Sequence, residues 1–269
     1  MSAGIYQKLT LENALYLKNA WEGIITFMAE SDYLDVLLPH ATEAAPRDLT
    51  AVAGLLERRN IRWVYHFSHF VNFISIFKNG ILGRSDLTVR GMQFLPSDTS
   101  RADDLLSGIS LSVSEPNKWM LLDKIRKMGN NFGIIEISAN SLLNKRIVAF
   151  PTNAARREIK DSARKNPQNF VGARGLSNLF LNEGIRTQNR LSSNIPTDAQ
   201  SEIMVFDAIP NHHLRGIHVP ENGTNELLLA VEKLKLEFPE AIIDNPCSHS
   251  FFEYHRGSAV FSKWDEGWK

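Results

Sequence analysis

The sequence predicts an α+β protein. Short alternating stretches, such as residues 109–114 and 132–137, read as strands. Short helical patterns fall between them without a regular strand–helix–strand alternation. Neither a G-x-G-x-x-G nor a G-x-x-x-x-G-K-S/T run occurs, so a doubly wound or P-loop nucleotide fold is not indicated.

Taken in order, residues 1–60 read as helical and carry no recognisable chemistry. Leu15, Ala20, Ile24 and Phe27 recur near helical spacing over residues 11–29. Residues 39–46, bounded by Pro39 and Pro46, read as a loop. A second helix over residues 51–59 follows an N-cap at Asp48 or Thr50. The character changes at Ile61. Residues 62–67 form a short strand, and a helix over 70–79 buries Phe73, Ile74 and Phe77 and ends on Gly80. Residues 83–104 are loop-rich. The strand over 109–114 runs into a Pro116-Asn117 turn, and a helix over 121–128 stops at Gly129-Asn130-Asn131. A strand over 132–137, one helical turn over 139–144 and a strand over 147–150 follow. Residues 153–194 are polar, basic and loop-like, with one short helix at 174–183. Strands over 201–206 and 214–219 flank a turn at His212-His213. An amphipathic helix over 224–238 carries Leu227, Leu228, Val231, Leu234 and Leu236. The last thirty residues are irregular and aromatic-rich. This divides the chain into a helical extension (1–60), a main domain (61–220) and a C-terminal helix and tail packed on it (221–269).

At 269 residues and 43% hydrophobic content the chain can bury a full core. No stretch reaches the roughly 18 consecutive apolar residues that span a bilayer. The first twelve residues lack a basic region followed by an apolar core, so no secretory leader is expected. The single cysteine, Cys247, excludes an internal disulfide and reads as a tail residue; a cytoplasmic protein is expected. Zero net charge argues against a protein that coats nucleic acid through phosphate contacts alone. It leaves room for a local basic groove built from Arg156, Arg157, Lys160, Arg164, Lys165, Arg174, Arg186 and Arg190, a stretch that by itself reads more readily as a solvated helical face and loop.

Four places can carry chemistry. His66 and Ser68 are two apart in a strand, so they share a face and can present a ring nitrogen and a hydroxyl to a polar ligand such as a ribose. Taken alone, the pair reads more readily as a core histidine and a strand-end serine. Glu202 abuts the apolar run Ile203-Met204-Val205-Phe206, where a carboxylate needs solvent or a partner. It reads as a site residue or as a rim glutamate. Arg101 and Asp103 precede a strand and read otherwise as a surface ion pair. Phe150-Pro151-Thr152-Asn153-Ala154-Ala155 is a strand running into a turn of small residues, close to which a ligand could approach the backbone. No His, Cys, Asp and Glu grouping has metal-ligand spacing, so no metal is expected.

The order of these pieces is informative. Tyr65-His66-x-Ser68 with Asn72 and Gly80-Ile81-Leu82 comes first, then Arg101-x-Asp103. Ser110-Leu111-Ser112-Val113-Ser114-x-Pro116-Asn117-x-x-Met120 follows, then Phe150-Pro151-x-Asn153-Ala154-Ala155, then Pro196-Thr197-Asp198-x-Gln200-Ser201-Glu202. Over residues 61–220 this series resembles the DarT family, bacterial toxins that ADP-ribosylate bases of DNA. The Pro-Thr-Asp-x-Gln-x-Glu segment is its most specific part.

The resemblance implies an ADP-ribosyltransferase fold, a split and twisted β-core with short helices and a cleft for NAD, the ADP-ribose donor. It implies that His66 and Ser68 hold the nicotinamide-side ribose, and that Asn72, Gly80 and Leu82 line the NAD site. Glu202 matches the catalytic glutamate and Arg101 an arginine near the reacting base. Asn153, Arg156, Arg157, Lys160 and Trp119 are the residues that would meet single-stranded DNA. A cognate antitoxin, a macrodomain ADP-ribosyl hydrolase for instance, is the implied partner. Ser110-Leu111-Ser112-Val113-Ser114 replaces the Tyr/Phe-rich strand of the thymine-modifying members and is closer to the guanine-type branch. RNA as the acceptor, a protein acceptor and an inactive NAD-fold binding module remain as alternatives.

Overall fold

The computed structural model describes residues 32–96, 105 and 107–244. The helix expected over 11–29, Arg101, Asp103, Cys247 and the aromatic-rich tail lie outside the described residues.

Seven strands form one sheet in the order β4-β5-β2-β1-β3-β6-β7. They are β1 (Trp63–His69), β2 (Ile109–Val113), β3 (Phe132–Ser138), β4 (Ile147–Phe150), β5 (Glu202–Val205), β6 (Leu214–His218) and β7 (Ile242–Asp244). All neighbours are antiparallel except β6 and β7. The pairing around β1 is uneven. It meets β3 over its whole length, from Trp63↔Ser138 to His69↔Phe132, but meets β2 only at Val64↔Val113 and Tyr65↔Ser112. Beyond Tyr65 the sheet therefore divides into a β4-β5-β2 half and a β1-β3-β6-β7 half. The division falls where the sequence places His66 and Ser68.

Alternation decides what each face of β1 does. Val64 joins the main core with Ile109, Leu111, Val113, Ile135, Ile203 and Val205, while Tyr65 turns to a smaller cluster with Leu121, Phe132 and Ile134. The helix α5 (Lys118–Met128) covers that smaller cluster, starting from Asn117, whose Oδ1 accepts the Met120 N–H at 3.1 Å. The helix α9 (Asn225–Glu237) is capped by Thr224 and buries Leu227, Val231 and Leu234 in the main core.

The N-terminal helices depart from expectation. The loop expected at residues 39–46 is instead the body of α1 (Asp32–Arg47), which continues through Pro39 and Pro46. Packing decides this: Leu37, Ala41 and Ala44 are wholly buried in a second cluster with Val148, Phe150, Phe170, Val171 and Met204. Next, α2 (Leu49–Arg58) places Val52, Leu55 and Leu56 in the main core. Asp48 stands at its N-cap position but forms no cap bond. Its carboxylate accepts from Arg47 Nε at 2.8 Å and from the Ala173 N–H at 3.1 Å, which hold it below the usual carboxylate range.

The sequence pattern missed elements at three further places. After α3 (Phe73–Asn79), the expected loop at 83–104 holds a short helix, α4 (Arg84–Val89). The stretch 153–194 holds three helices rather than one: α6 (Arg157–Lys165), α7 (Gly172–Asn178) and α8 (Glu183–Gln188). The sequence Gly-Ala-Arg-Gly-Leu-Ser-Asn of α7 has poor helix propensity. It stays helical because Gly175 lies directly against the Phe170 carbonyl, too close for a side chain, and because Leu176 is buried. The third, β7, is only three residues long, too short for periodicity to announce it.

Candidate active site

The cleft opens at the fork in the sheet. Its walls are the second half of β1, the following turn, α3, the Gly80-Ile81-Leu82 corner, residues 92–96 and the start of β2. It encloses about 730 Å³ including its mouth. His66, Ser68, Asn72, Gly80, Leu82 and Ser110 all line it.

Several polar groups on these walls have defined partners. His66 Nδ1 is 3.0 Å from the Ser110 carbonyl oxygen. A carbonyl can only accept, so Nδ1 carries the hydrogen, and in the neutral ring Nε2 is the acceptor nitrogen. Asn72 Nδ2 donates to Ser68 Oγ at 3.0 Å and to the Leu95 carbonyl at 2.9 Å, while its Oδ1 accepts the Leu95 N–H at 2.9 Å. The Asn72 amide therefore clasps the 92–96 wall to the end of β1. It also occupies an acceptor position of Ser68, whose own hydroxyl hydrogen is left to donate. Gly80 has φ +81°, and a side chain there would collide with the Ile209 carbonyl, so glycine is required for the crossing of Ile81 over Ile209. His69 accepts the Val71 N–H at 3.4 Å as a cap, and burial holds its ring below the usual imidazole range.

Glu202 begins β5 and is 3% exposed. Its Oε2 accepts from Ser110 Oγ at 3.0 Å and its Oε1 from the Ala154 N–H at 2.8 Å. It stands behind Ser110, one layer in from the cleft wall. Ser110 thus joins three parts: its carbonyl meets His66, its hydroxyl meets Glu202, and its side faces the cleft. Sequence reasoning placed Ser110 in a strand and gave it no such role, because the link to Glu202 spans 92 positions.

The segment ahead of Glu202 is built to deliver it. Thr197 is anchored by its N–H to the Leu179 carbonyl at 2.9 Å and by its hydroxyl to the Leu181 carbonyl at 2.6 Å. Asp198 closes a tight turn, its Oδ1 accepting the Gln200 N–H at 2.7 Å and its carbonyl the Ser201 N–H at 3.0 Å. Ser201 Oγ then donates to the Pro151 carbonyl at 2.9 Å, and Glu202 pairs with Phe150 at the end of β4.

The basic residues separate into two kinds. Arg186 was a candidate for the basic groove, but it is 4% exposed and braces the loop before Glu202 from inside. Its guanidinium donates to the Ile195 and Ser192 carbonyls at 2.6 and 2.8 Å. Arg156, Arg157 and Lys160 lie at or in the first turn of α6, two to six residues beyond Ala154, and Arg157 faces solvent with Asp161 at 3.8 Å. Trp119 lies in the first turn of α5, beyond the end of β2 that is remote from the fork, and does not line the cleft. Among the described residues no cluster of three metal-ligating side chains occurs. No helix among them is long and apolar enough to cross a membrane.

A sheet split beside its central strand, with a polar cleft at the fork and a buried glutamate behind it, is the ADP-ribosyltransferase fold. Residues 65–237, more than half of the chain, match the family described as "DarT: ssDNA thymidine ADP-ribosyltransferase, DarT". The chain belongs to the DarT family of NAD-dependent ADP-ribosyltransferases. Among solved structures it is similar to Thermus sp. 2.9 DarT in complex with ADP-ribosylated ssDNA, at 13% identity and a TM-score of 0.46 over 72% of this chain and 97% of that one. The same protein in complex with NAD+ matches at 14% identity and a TM-score of 0.38, over 67% and 91%. Thermosipho africanus DarTG in complex with ADP-ribose matches at 14% identity and a TM-score of 0.46, over 71% of this chain; the chain spans about half (51%) of that one. No curated protein matches it.

Proposed function

We propose that this chain transfers ADP-ribose from NAD to a base of single-stranded DNA, with Glu202 as the catalytic glutamate. The observation that carries the reading is the chain of contacts from the cleft wall at His66 and Ser110 to Glu202 behind it. Membership of the DarT family supports the acceptor class.

In the reaction the ribose–nicotinamide bond breaks and nicotinamide leaves with the bonding electron pair. Positive charge then builds on the ribose, and a nitrogen of the base attacks the same carbon and gives up a proton. Catalysis must favour this oxocarbenium-like state over the ground state. Glu202 supplies a fixed carboxylate for it. A ribose hydroxyl that displaces Ser110 as donor to Oε2 would bring the carboxylate against the developing charge. His66 and Ser68 would grip the nicotinamide-side ribose, and Gly80 and Leu82 would shape the wall for NAD. Arg101 would orient the base or its phosphate. A stacked, paired base cannot enter such a cleft, which favours single-stranded substrate. Arg156, Arg157 and Lys160, leading away from the glutamate along α6, suit a phosphate backbone.

The acceptor base under this reading is guanine, on the strength of the Ser-Leu-Ser-Val-Ser sequence of β2. The biological setting is a cytoplasmic toxin held in check by a cognate antitoxin, with residues 61–220 as the catalytic domain. Mass spectrometry of single-stranded DNA and matching RNA oligonucleotides, after incubation with the protein and NAD, tests the reading. We expect an ADP-ribose adduct on guanine of the DNA, absent with Glu202→Ala. An adduct on thymine would correct the base, one on RNA alone would change the acceptor, and unchanged transfer by Glu202→Ala would remove the catalytic assignment.

A further inference from the structure

We propose that Asn153 is a positioning residue that aims a backbone amide at Glu202, and that it does not act by contacting nucleic acid. This rests on Glu202 acting in the transfer.

Three consecutive amides leave the end of β4, and the structure accounts for each. The Ala154 N–H donates to Glu202 Oε1 at 2.8 Å. The Ala155 N–H donates to the Asn153 side-chain oxygen at 2.8 Å. The Arg156 N–H donates to the Asn153 carbonyl at 3.2 Å. Asn153 thus takes the second and third amides into a tight side-chain-closed turn, and the first is left pointing the other way, at the carboxylate. Ala154 is wholly buried, so no solvent is at hand to replace Glu202 as the acceptor. The turn is held at both ends. Ser201 Oγ ties Pro151 to the residue just before the glutamate, and the Arg156 carbonyl starts α6 by accepting the Ile159 and Lys160 N–H groups.

The consequence is specific. Without the Asn153 oxygen, the Ala155 N–H loses its acceptor and the turn can rotate. The Ala154 N–H rotates with it, and Glu202 loses that donor. A carboxylate that must meet a short-lived cation loses rate when its position is no longer fixed. Nothing in this chain of effects touches the binding of either substrate.

The test is steady-state transfer from NAD to a single-stranded DNA oligonucleotide by Asn153→Ala, Asn153→Asp and Glu202→Gln, with thermal melting and NAD binding as controls for folding. Asn153→Ala should lower kcat about ten-fold, as for a lost hydrogen bond to a charged group, and leave KM for the oligonucleotide within about two-fold. Asn153→Asp keeps an oxygen that can accept the Ala155 N–H and should restore kcat to within about three-fold of the parent. If Asn153→Ala does not fold, Asn153→Ser carries the test, because its hydroxyl can close a weaker version of the same turn and should give an intermediate kcat. An oligonucleotide KM that rises at unchanged kcat would overturn the inference in favour of direct contact, as would Asp or Ser no faster than Ala. A parent protein that transfers nothing, or a Glu202→Gln protein as fast as the parent, would instead remove the reading on which the inference rests.

Discussion

Two buried glutamates, Glu202 at the start of β5 and Glu136 in β3, are held in different ways. On the cleft side Glu202 is held by a backbone amide and a hydroxyl. In the β1-β3-β6-β7 half of the sheet Glu136 is held by ions and dipoles together: Arg215 donates to Oε1 at 2.9 Å, while His218 Nε2 and the Tyr65 hydroxyl meet Oε2 at 3.1 and 3.3 Å. His218 in turn meets Asp244 at 2.9 Å through Nδ1, and Arg215 packs over the Trp63 ring at 4.4 Å. Burial works against the charge of Glu136, but the His218 contact, Arg215 and Tyr65 outweigh it and hold the carboxyl below its usual range. Burial and the neighbouring Glu136 charge push the Tyr65 phenol up. A titratable group in a closed ionic net is committed to the fold. A carboxylate that accepts from a hydroxyl on the wall of an open cleft can exchange that donor for a ligand. Burial is therefore common to both sites and cannot by itself mark a functional one.

The sharpest way to break this contrast is to neutralise each glutamate in turn. Glu202→Gln should lower kcat by about 10³-fold, in the range for a positioned catalytic group, with a small change in melting temperature. Glu136→Gln should do the reverse. Removing one charge from a nearly buried ionic net should cost about 3 kcal/mol of stability and leave kcat close to the parent value. Melting curves and single-turnover rates on both proteins decide the matter. If Glu136→Gln costs rate at unchanged stability, the two sites are coupled and the distinction fails.

The sequence carried this contrast only halfway. The period-2 pattern of β1 already separates His66 and Ser68 from Tyr65, and the Pro-Thr-Asp-x-Gln-x-Glu segment singles out Glu202 as the proposed catalytic residue. What it could not reveal are contacts between distant segments. Ser110 meets Glu202, Ala154 supplies it an amide, and Asn72 holds Leu95; none of these leaves a local pattern. Arg186 shows the same limit from the other direction. In sequence it is one more cation in a basic run, whereas three-dimensional packing surrounds it with carbonyls. The helix through Pro39 and Pro46 is a further case, where burial of Leu37, Ala41 and Ala44 overrides the local signal of two prolines.

Acid sharpens the contrast more gently. The folded-state value of Glu136 lies below its unfolded value, so the unfolded chain binds the proton more readily. Its contribution to stability is present above about pH 4 and is lost as the pH falls through the lower folded-state value. The groups facing it are Arg215 and His218 from β6, Tyr65 from β1 and, through His218, Asp244 from β7. The gap in melting temperature between the parent and Glu136→Gln should therefore narrow as the pH is lowered from neutrality to about 3. A gap that stays constant would show that the carboxylate charge is not what the net stabilises.

The smallest expected effect concerns the cleft wall itself. Asn72 spends its whole amide on protein partners: two hydrogens on Ser68 and Leu95, and its oxygen on the Leu95 N–H. Under the proposed function, a side chain so engaged would serve NAD indirectly, by fixing the Ser68 hydroxyl and by keeping the 92–96 wall against β1. Asn72→Ala should then raise KM for NAD about ten-fold, the equivalent of roughly 1.4 kcal/mol from the lost clasp. It should change kcat much less, because Glu202 and its two donors lie across the fork and are untouched. Asn72→Asp separates the two duties. It can still accept the Leu95 N–H but cannot donate to Ser68 or to the Leu95 carbonyl, so its KM should fall between parent and Ala if the wall matters most. If Asp is instead as poor as Ala, the hydroxyl of Ser68 is what Asn72 sets.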